Sequence, residues 1–95
     1  MAKLTEATLQ DALKSLPGWR LDAGKLVREW KFPDFVQAMA FVNAVAAAAE
    51  AAGHHPDIDI RYNHVLLGLV SHDAGGITER DVRMAQHLNA QFDHA

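Results

Sequence analysis

The chain contains no cysteine. That excludes a disulfide framework and any thiolate metal centre, and it suits a reducing cytosol, so a cytoplasmic protein is expected. Long hydrophobic runs are also missing. The longest, Ala44 to Ala52, is interrupted by Glu50 and is too short to cross a bilayer, so no membrane partner is expected. The N-terminal stretch MAKLTEATLQDAL lacks the apolar core of a signal peptide. A basic surplus is absent as well. Net charge is −3 with histidine neutral, and the largest local basic cluster, Lys25, Arg28 and Lys31, is broken by Glu29. Nothing in that balance favours nucleic acid as a partner. No phosphate-cradling glycine loop, GxGxxG motif or Ser/His/Asp arrangement occurs.

The 95 residues fit one domain, 1–95, with one core. Apolar residues make up 49% and charged residues 22%, a balance that supports a folded globular chain and argues against disorder.

Periodicity supplies the elements. Thr5 is placed to cap a first helix whose Leu9, Ala12, Leu13 and Leu16 recur at helical spacing until Pro17-Gly18 stops it. Trp19 and Leu21 begin a short strand, Asp22-Ala23-Gly24 turns it, and Leu26 to Phe32 returns. Leu26, Arg28, Trp30 and Phe32 then share one face, where Arg28 spoils a clean apolar alternation. Asp34 caps the longest helix, with an expected stripe of Phe35, Met39, Val42, Ala46 and Ala49, widened by Val36 and Val45. Gly53 suits its C-terminus. Asp57 to Tyr62 alternates strictly and reads as a half-buried strand. Asn63-His64 is the expected turn, Val65 to Ser71 the next strand, and Asp73 to Gly76 a loop. Thr78 caps a last helix with the stripe Val82, Ala85, Leu88 and Phe92. The order α-β-β-α-β-β-α predicts an α+β two-layer sandwich: a four-stranded antiparallel sheet with three helices on one face.

Six histidines are many for this length. His54, His55 and His72 fall at junctions between helix and sheet, where they can converge on one pocket. Imidazole serves as acid or base near neutrality, so such a cluster suits a reaction needing both proton donation and removal. The bland alternative is three exposed loop histidines, with Pro56 there only to end a helix. Metal is the weaker reading, because adjacent His54 and His55 tend to diverge, although Asp57 and Asp73 could add carboxylates. Glu50, four residues before His54, could orient it or pair elsewhere. Asp81 could bond a catalytic histidine or close the Thr78 cap. Trp19, Trp30 and Tyr62 could stack on a flat heterocycle or simply fill a core. His64, His87 and His94 read as surface residues.

Several spaced elements carry a family resemblance: Glu50-x-x-x-His54-His55-Pro56, Tyr62-Asn63-x-Val65, Ser71-His72 and Gly76-Ile77-Thr78-x-Arg80-Asp81. With Gly18-Trp19 and Phe32-x-Asp34-Phe35, they make the chain resemble the pterin-4a-carbinolamine dehydratases over nearly its whole length. The resemblance implies the same α+β sandwich and dehydration of a 4a-hydroxytetrahydropterin to the quinonoid dihydropterin, in recycling that serves aromatic amino-acid hydroxylases. It implies no metal and no organic cofactor. His54, His55 and His72 carry over as catalytic and pterin-binding residues, with Gly53, Val70, Ser71 and Asp73 as further substrate contacts and Glu50 and Asp81 in support. It also implies a homodimer or homotetramer, for which the alanine-rich face from Ala38 to Ala52 is a candidate surface. Two other functions compete: a protein-binding dimerisation cofactor for a transcription factor, and another pterin-handling role such as molybdopterin metabolism. A retained histidine triad speaks against a pure scaffold.

Overall fold

Four short strands set the plane on which everything else is placed. In the computed structural model, which describes residues 2–93, these are β1 (Arg20–Asp22), β2 (Lys25–Lys31), β3 (Asp57–Arg61) and β4 (His64–Leu69). The sheet order is β1-β2-β4-β3 and every pairing is antiparallel. The helices are α1 (Glu6–Leu13), α2 (Phe35–Ala52) and α3 (Glu79–Phe92), and a short 3-10 turn covers His72–Ala74. This is the α-β-β-α-β-β-α order expected, and an α+β fold.

Register decides which side chains meet the helices. Leu26 lies opposite Leu69, Arg28 opposite Leu67 and Trp30 opposite Val65. Because side chains alternate along a strand, these six project from one face. Leu26, Trp30, Val65, Leu67 and Leu69 belong to one buried cluster with Ala38, Phe41 and Val45 of α2 and Val82, Ala85 and Leu88 of α3. The opposite face sets charged pairs around Val27 and Leu66: Lys25 bonds Asp57, and His64 pairs with Glu29.

Arg28 occupies the apolar face because it is paired there. Its guanidinium stacks 4.2 Å from the Trp30 ring centre and donates to Asn89 Oδ1 at 2.6 Å and to both carboxylate oxygens of Asp93. It also passes close to Gly18, where φ is +86° and an added Cβ would stand 2.6 Å from Arg28 Nε, so only glycine fits.

Three expectations need correction. The buried stripe of α2 is Ala38, Phe41, Val42, Val45 and Ala49, while Phe35 and Val36 are 48% and 75% exposed and Ala46 faces solvent. A helix apolar on nearly every side has no hydrophobic preference for its rotation. The aromatic cluster sets it instead: Phe41 packs 4.9 Å from Trp30, 5.0 Å from Phe32 and 4.7 Å from Phe92. The second correction is the β3–β4 turn, which lies at Tyr62-Asn63 and not Asn63-His64. Tyr62 takes φ +53°, and Asn63 exchanges bonds with the Phe32 backbone at 2.8 and 2.9 Å, so His64 already belongs to β4. Third, β4 ends at Leu69, and Ser71 forms an isolated bridge with Gly76. β3 is an edge strand, which leaves Ile58 37% exposed and Ile60 half-buried.

Candidate active site

The antiparallel pairing of β3 with β4 brings the two histidine segments together. Asp57, the first residue of β3, faces Gly68 near the end of β4. Residues that precede β3 and residues that follow β4 therefore emerge at the same end of the sheet. The first group is His54-His55-Pro56 and the second is Val70-Ser71-His72.

Local chemistry fixes the first group. α2 ends at Gly53, whose φ of 64° and ψ of 29° lie in the left-handed region. The Gly53 N–H donates to the carbonyls of Ala49 and Glu50, and the His54 N–H donates to Ala49, which satisfies the helix end and turns the chain towards the sheet. The second group is fixed by the Ser71–Gly76 bridge and the tight turn between them.

Gly53, His54, His55, Val70, Ser71, His72 and Asp73 line one surface cleft of about 280 Å³. These are the seven positions proposed from sequence as catalytic or substrate-contacting. Behind the cleft lies Asp81, 0% exposed. Its Oδ1 sits 2.5 Å from His54 Nε2, and its Oδ2 accepts from the Ser71 hydroxyl at 2.8 Å and the Thr78 N–H at 2.9 Å. Both alternatives for Asp81 therefore hold at once: it bonds a histidine and it closes the α3 capping box. An ionised carboxylate only accepts, so His54 Nε2 donates to it, and in the neutral ring Nδ1 is left as the basic nitrogen.

Glu50 takes the second of its two alternatives. Its carboxylate bonds His55 Nε2 at 2.9 Å, not His54. The left-handed turn at Gly53 breaks the helical spacing that would have stacked residues 50 and 54. Both partners are mostly exposed, so this pair contributes little to stability. The His72 imidazole is exposed and makes no hydrogen bond among the described residues. Asp73 accepts from Arg80 Nη2 at 2.6 Å, and that bond, aided by the guanidinium charge, holds its carboxyl below the ordinary carboxylate value. Arg80 is the neighbour that sequence reading left without a role. The capping box on Thr78 fixes where α3 begins, and that was the available signal for which α3 side chains meet the loop.

Among the other candidates, Trp19 and Trp30 are core residues packed edge to face at 5.7 Å, and Tyr62 is exposed. His87 is exposed, His64 is half-buried against Glu29, and His94 lies outside the described residues. Among the described residues, no group of three histidine or carboxylate side chains is arranged to hold a metal ion.

Residues 2–91 match the sequence pattern described as Pterin 4 alpha carbinolamine dehydratase. The chain belongs to that family. A relative from Acidobacterium capsulatum, named as a pterin-4-alpha-carbinolamine dehydratase, is 59% identical over 90 residues, covering 95% of this chain and 98% of its own. A crystal structure described as a transcriptional coactivator/pterin dehydratase from Brucella melitensis superposes with a TM-score of 0.86 at 39% identity, covering 93% and 96% of the two chains. A second structure, described as a pterin dehydratase-like RuBisCO assembly factor of the alpha-carboxysome, has a TM-score of 0.64 at 24% identity over 81% of this chain and 89% of its own. That last likeness concerns the dehydratase-family fold alone, and it is a reminder that a fold does not fix a function.

Proposed function

We propose that this chain is a pterin-4a-carbinolamine dehydratase acting by histidine acid/base catalysis. In the reaction, the C4a–OH bond breaks and N5 loses its proton as the C4a=N5 double bond forms. Water leaves, and no electrons are exchanged with another molecule. One imidazolium protonates the departing hydroxyl while another imidazole takes the N5 proton. His55 and His72 are exposed and free to exchange protons with solvent between turnovers. His54, held through Nε2 by a buried carboxylate, orients the pterin and shares the proton acceptance through Nδ1. Gly53, Val70, Ser71 and Asp73 contact the ring, Glu50 steadies His55 and Asp81 steadies His54.

The observation that carries this reading is the meeting of three imidazoles in one cleft, two of them backed by carboxylates. The expected gain from one positioned acid or base is roughly 10²–10⁴-fold. The substrate is a tetrahydrobiopterin-type carbinolamine released by an aromatic amino-acid hydroxylase, and the protein works in the cytoplasm as a homodimer or homotetramer, with no metal and no organic cofactor. The test is stopped-flow loss of the 4a-carbinolamine absorbance with and without protein. An unchanged rate at micromolar protein would reject the activity.

A further inference from the structure

A second concavity, larger than the histidine cleft, opens between α2 and α3 with a volume of about 440 Å³. Its apolar lining comes from Ala48, Ala51 and Ala52 of α2 and from Met84 of α3. Its polar lining is cationic or imidazole throughout. Arg80, Arg83 and His87 follow one another at helical spacing along one face of α3, and His54 forms the remaining wall. Among the described residues no carboxylate lines this groove, although the chain as a whole carries a net charge of −3.

Two of these groups have hydrogen-bonding capacity to spare. Arg83 has no ion pair or side-chain hydrogen bond among the described residues. Arg80 gives Nη2 to Asp73, while its Nε is buried and has no acceptor. That Nε is closed to solvent, so it is the other guanidinium N–H groups of Arg80, whose side chain is 32% exposed, that are available to a ligand oxygen.

The groove also adjoins the cleft. His54 lines both concavities, and the Arg80–Asp73 pair joins a residue of one to a residue of the other. The two concavities are therefore immediate neighbours that share a wall at His54, and a substituent leaving a ring held against the histidines has the groove beside it. We infer that the α2/α3 groove receives a negatively charged substituent of the pterin, a phosphate ester or a carboxylate, with Arg83 and Arg80 as its principal donors. The inference rests on the pterin reading of the cleft and extends it: beside the neutral biopterin-type carbinolamine, the site takes pterins with an anionic substituent and holds them more tightly. A guanidinium matches both anions, because its paired N–H groups suit two oxygens of a carboxylate or a phosphate.

Calorimetric binding of three stable ligands with the same ring tests this: 6-hydroxymethyl-7,8-dihydropterin, its phosphate monoester and the corresponding 6-carboxylate. At low ionic strength the phosphate ester should bind about tenfold more tightly than the neutral alcohol, the scale of one added charge-assisted contact. That preference should shrink as salt is raised. Arg83→Gln should bring the phosphate-to-alcohol ratio towards one, and Arg83→Lys should keep much of it. Arg83 is exposed, so both variants should fold, which circular dichroism checks. Preference for the phosphate ester alone, or for both anions equally, supports the inference and tells the two anions apart. Equal affinity of the wild type for all three ligands overturns it while leaving the pterin reading intact. An anion preference unmoved by Arg83→Gln overturns the assignment to this groove. If no pterin binds, both readings fall together.

Discussion

Asp81 and His54 are joined by a 2.5 Å contact between a carboxylate that is fully buried and an imidazole whose side chain is only 11% exposed. The other oxygen of the same carboxylate holds Ser71 and the first turn of α3. Asp81→Asn keeps the size but presents a donor where a second acceptor is needed. It should destabilise the fold by about 1–3 kcal/mol, read as a lowered denaturation midpoint. Under the acid/base reading, kcat should also fall at least about tenfold in the folded variant, because the His54 tautomer is no longer fixed. A loss of stability with unchanged kcat would make Asp81 a structural residue only.

His55→Ala and His72→Ala should each lower kcat without altering the circular dichroism, since neither imidazole is buried. Residues acting as one unit lose less together than the product of their separate losses, so the double variant should be only modestly worse than the poorer single one. The pH–rate profile should have a limb in the imidazole range, and the double variant should flatten it. A folded double variant with wild-type kcat and pH dependence would move the search to Glu50, Asp73 and Asp81.

Gly53 tests whether backbone shape alone aims the histidine pair. Nothing lies within 4 Å of a Cβ added there, so Gly53→Ala meets no obstacle except its positive φ. The expected loss is about 1–2 kcal/mol, and Gly53→Asn should lose less because asparagine tolerates that region. Equal denaturation midpoints for wild type and Gly53→Ala would show that the turn relaxes without cost.

Assembly can be read by sedimentation. The outward side of α2 presents Ala40, Ala46 and Ala47, small residues that allow close approach of a second helix. A dimer or tetramer is expected at micromolar concentration, and Ala47→Glu should shift it towards smaller species. A monomer at all these concentrations would leave this face without an intermolecular role.

Element order and most caps were legible because each has a local cause. Thr5, Asp34 and Thr78 each accept from a backbone N–H at their helix starts, and Gly53 adopts the left-handed end expected of it. The rotation of α2 was not legible. Alanine surrounds that helix, and only the distant rings of Trp30, Phe32 and Phe92 choose which side of it is buried. At the site, the junction positions of His54, His55 and His72 were visible in the chain, and antiparallel register explains why they meet. Their partners were not. Whether Glu50 bonds His54 or His55 depends on a single left-handed residue, and the Arg80–Asp73 pair depends on how α3 is seated.

Helix ends usually fray, but α3 is fastened at both of its ends. Asp81 ties its first turn to Ser71 and His54, while Arg28 on β2 holds Asn89 near its end and Asp93 just beyond it. Amide protons of the terminal turns should therefore exchange with solvent only when the sheet opens as well, making α3, β2 and the cleft one cooperative unit. The alignment of the histidines is thereby coupled to a guanidinium at the far end of the same helix, so weakening Arg28 should loosen a site that it never touches.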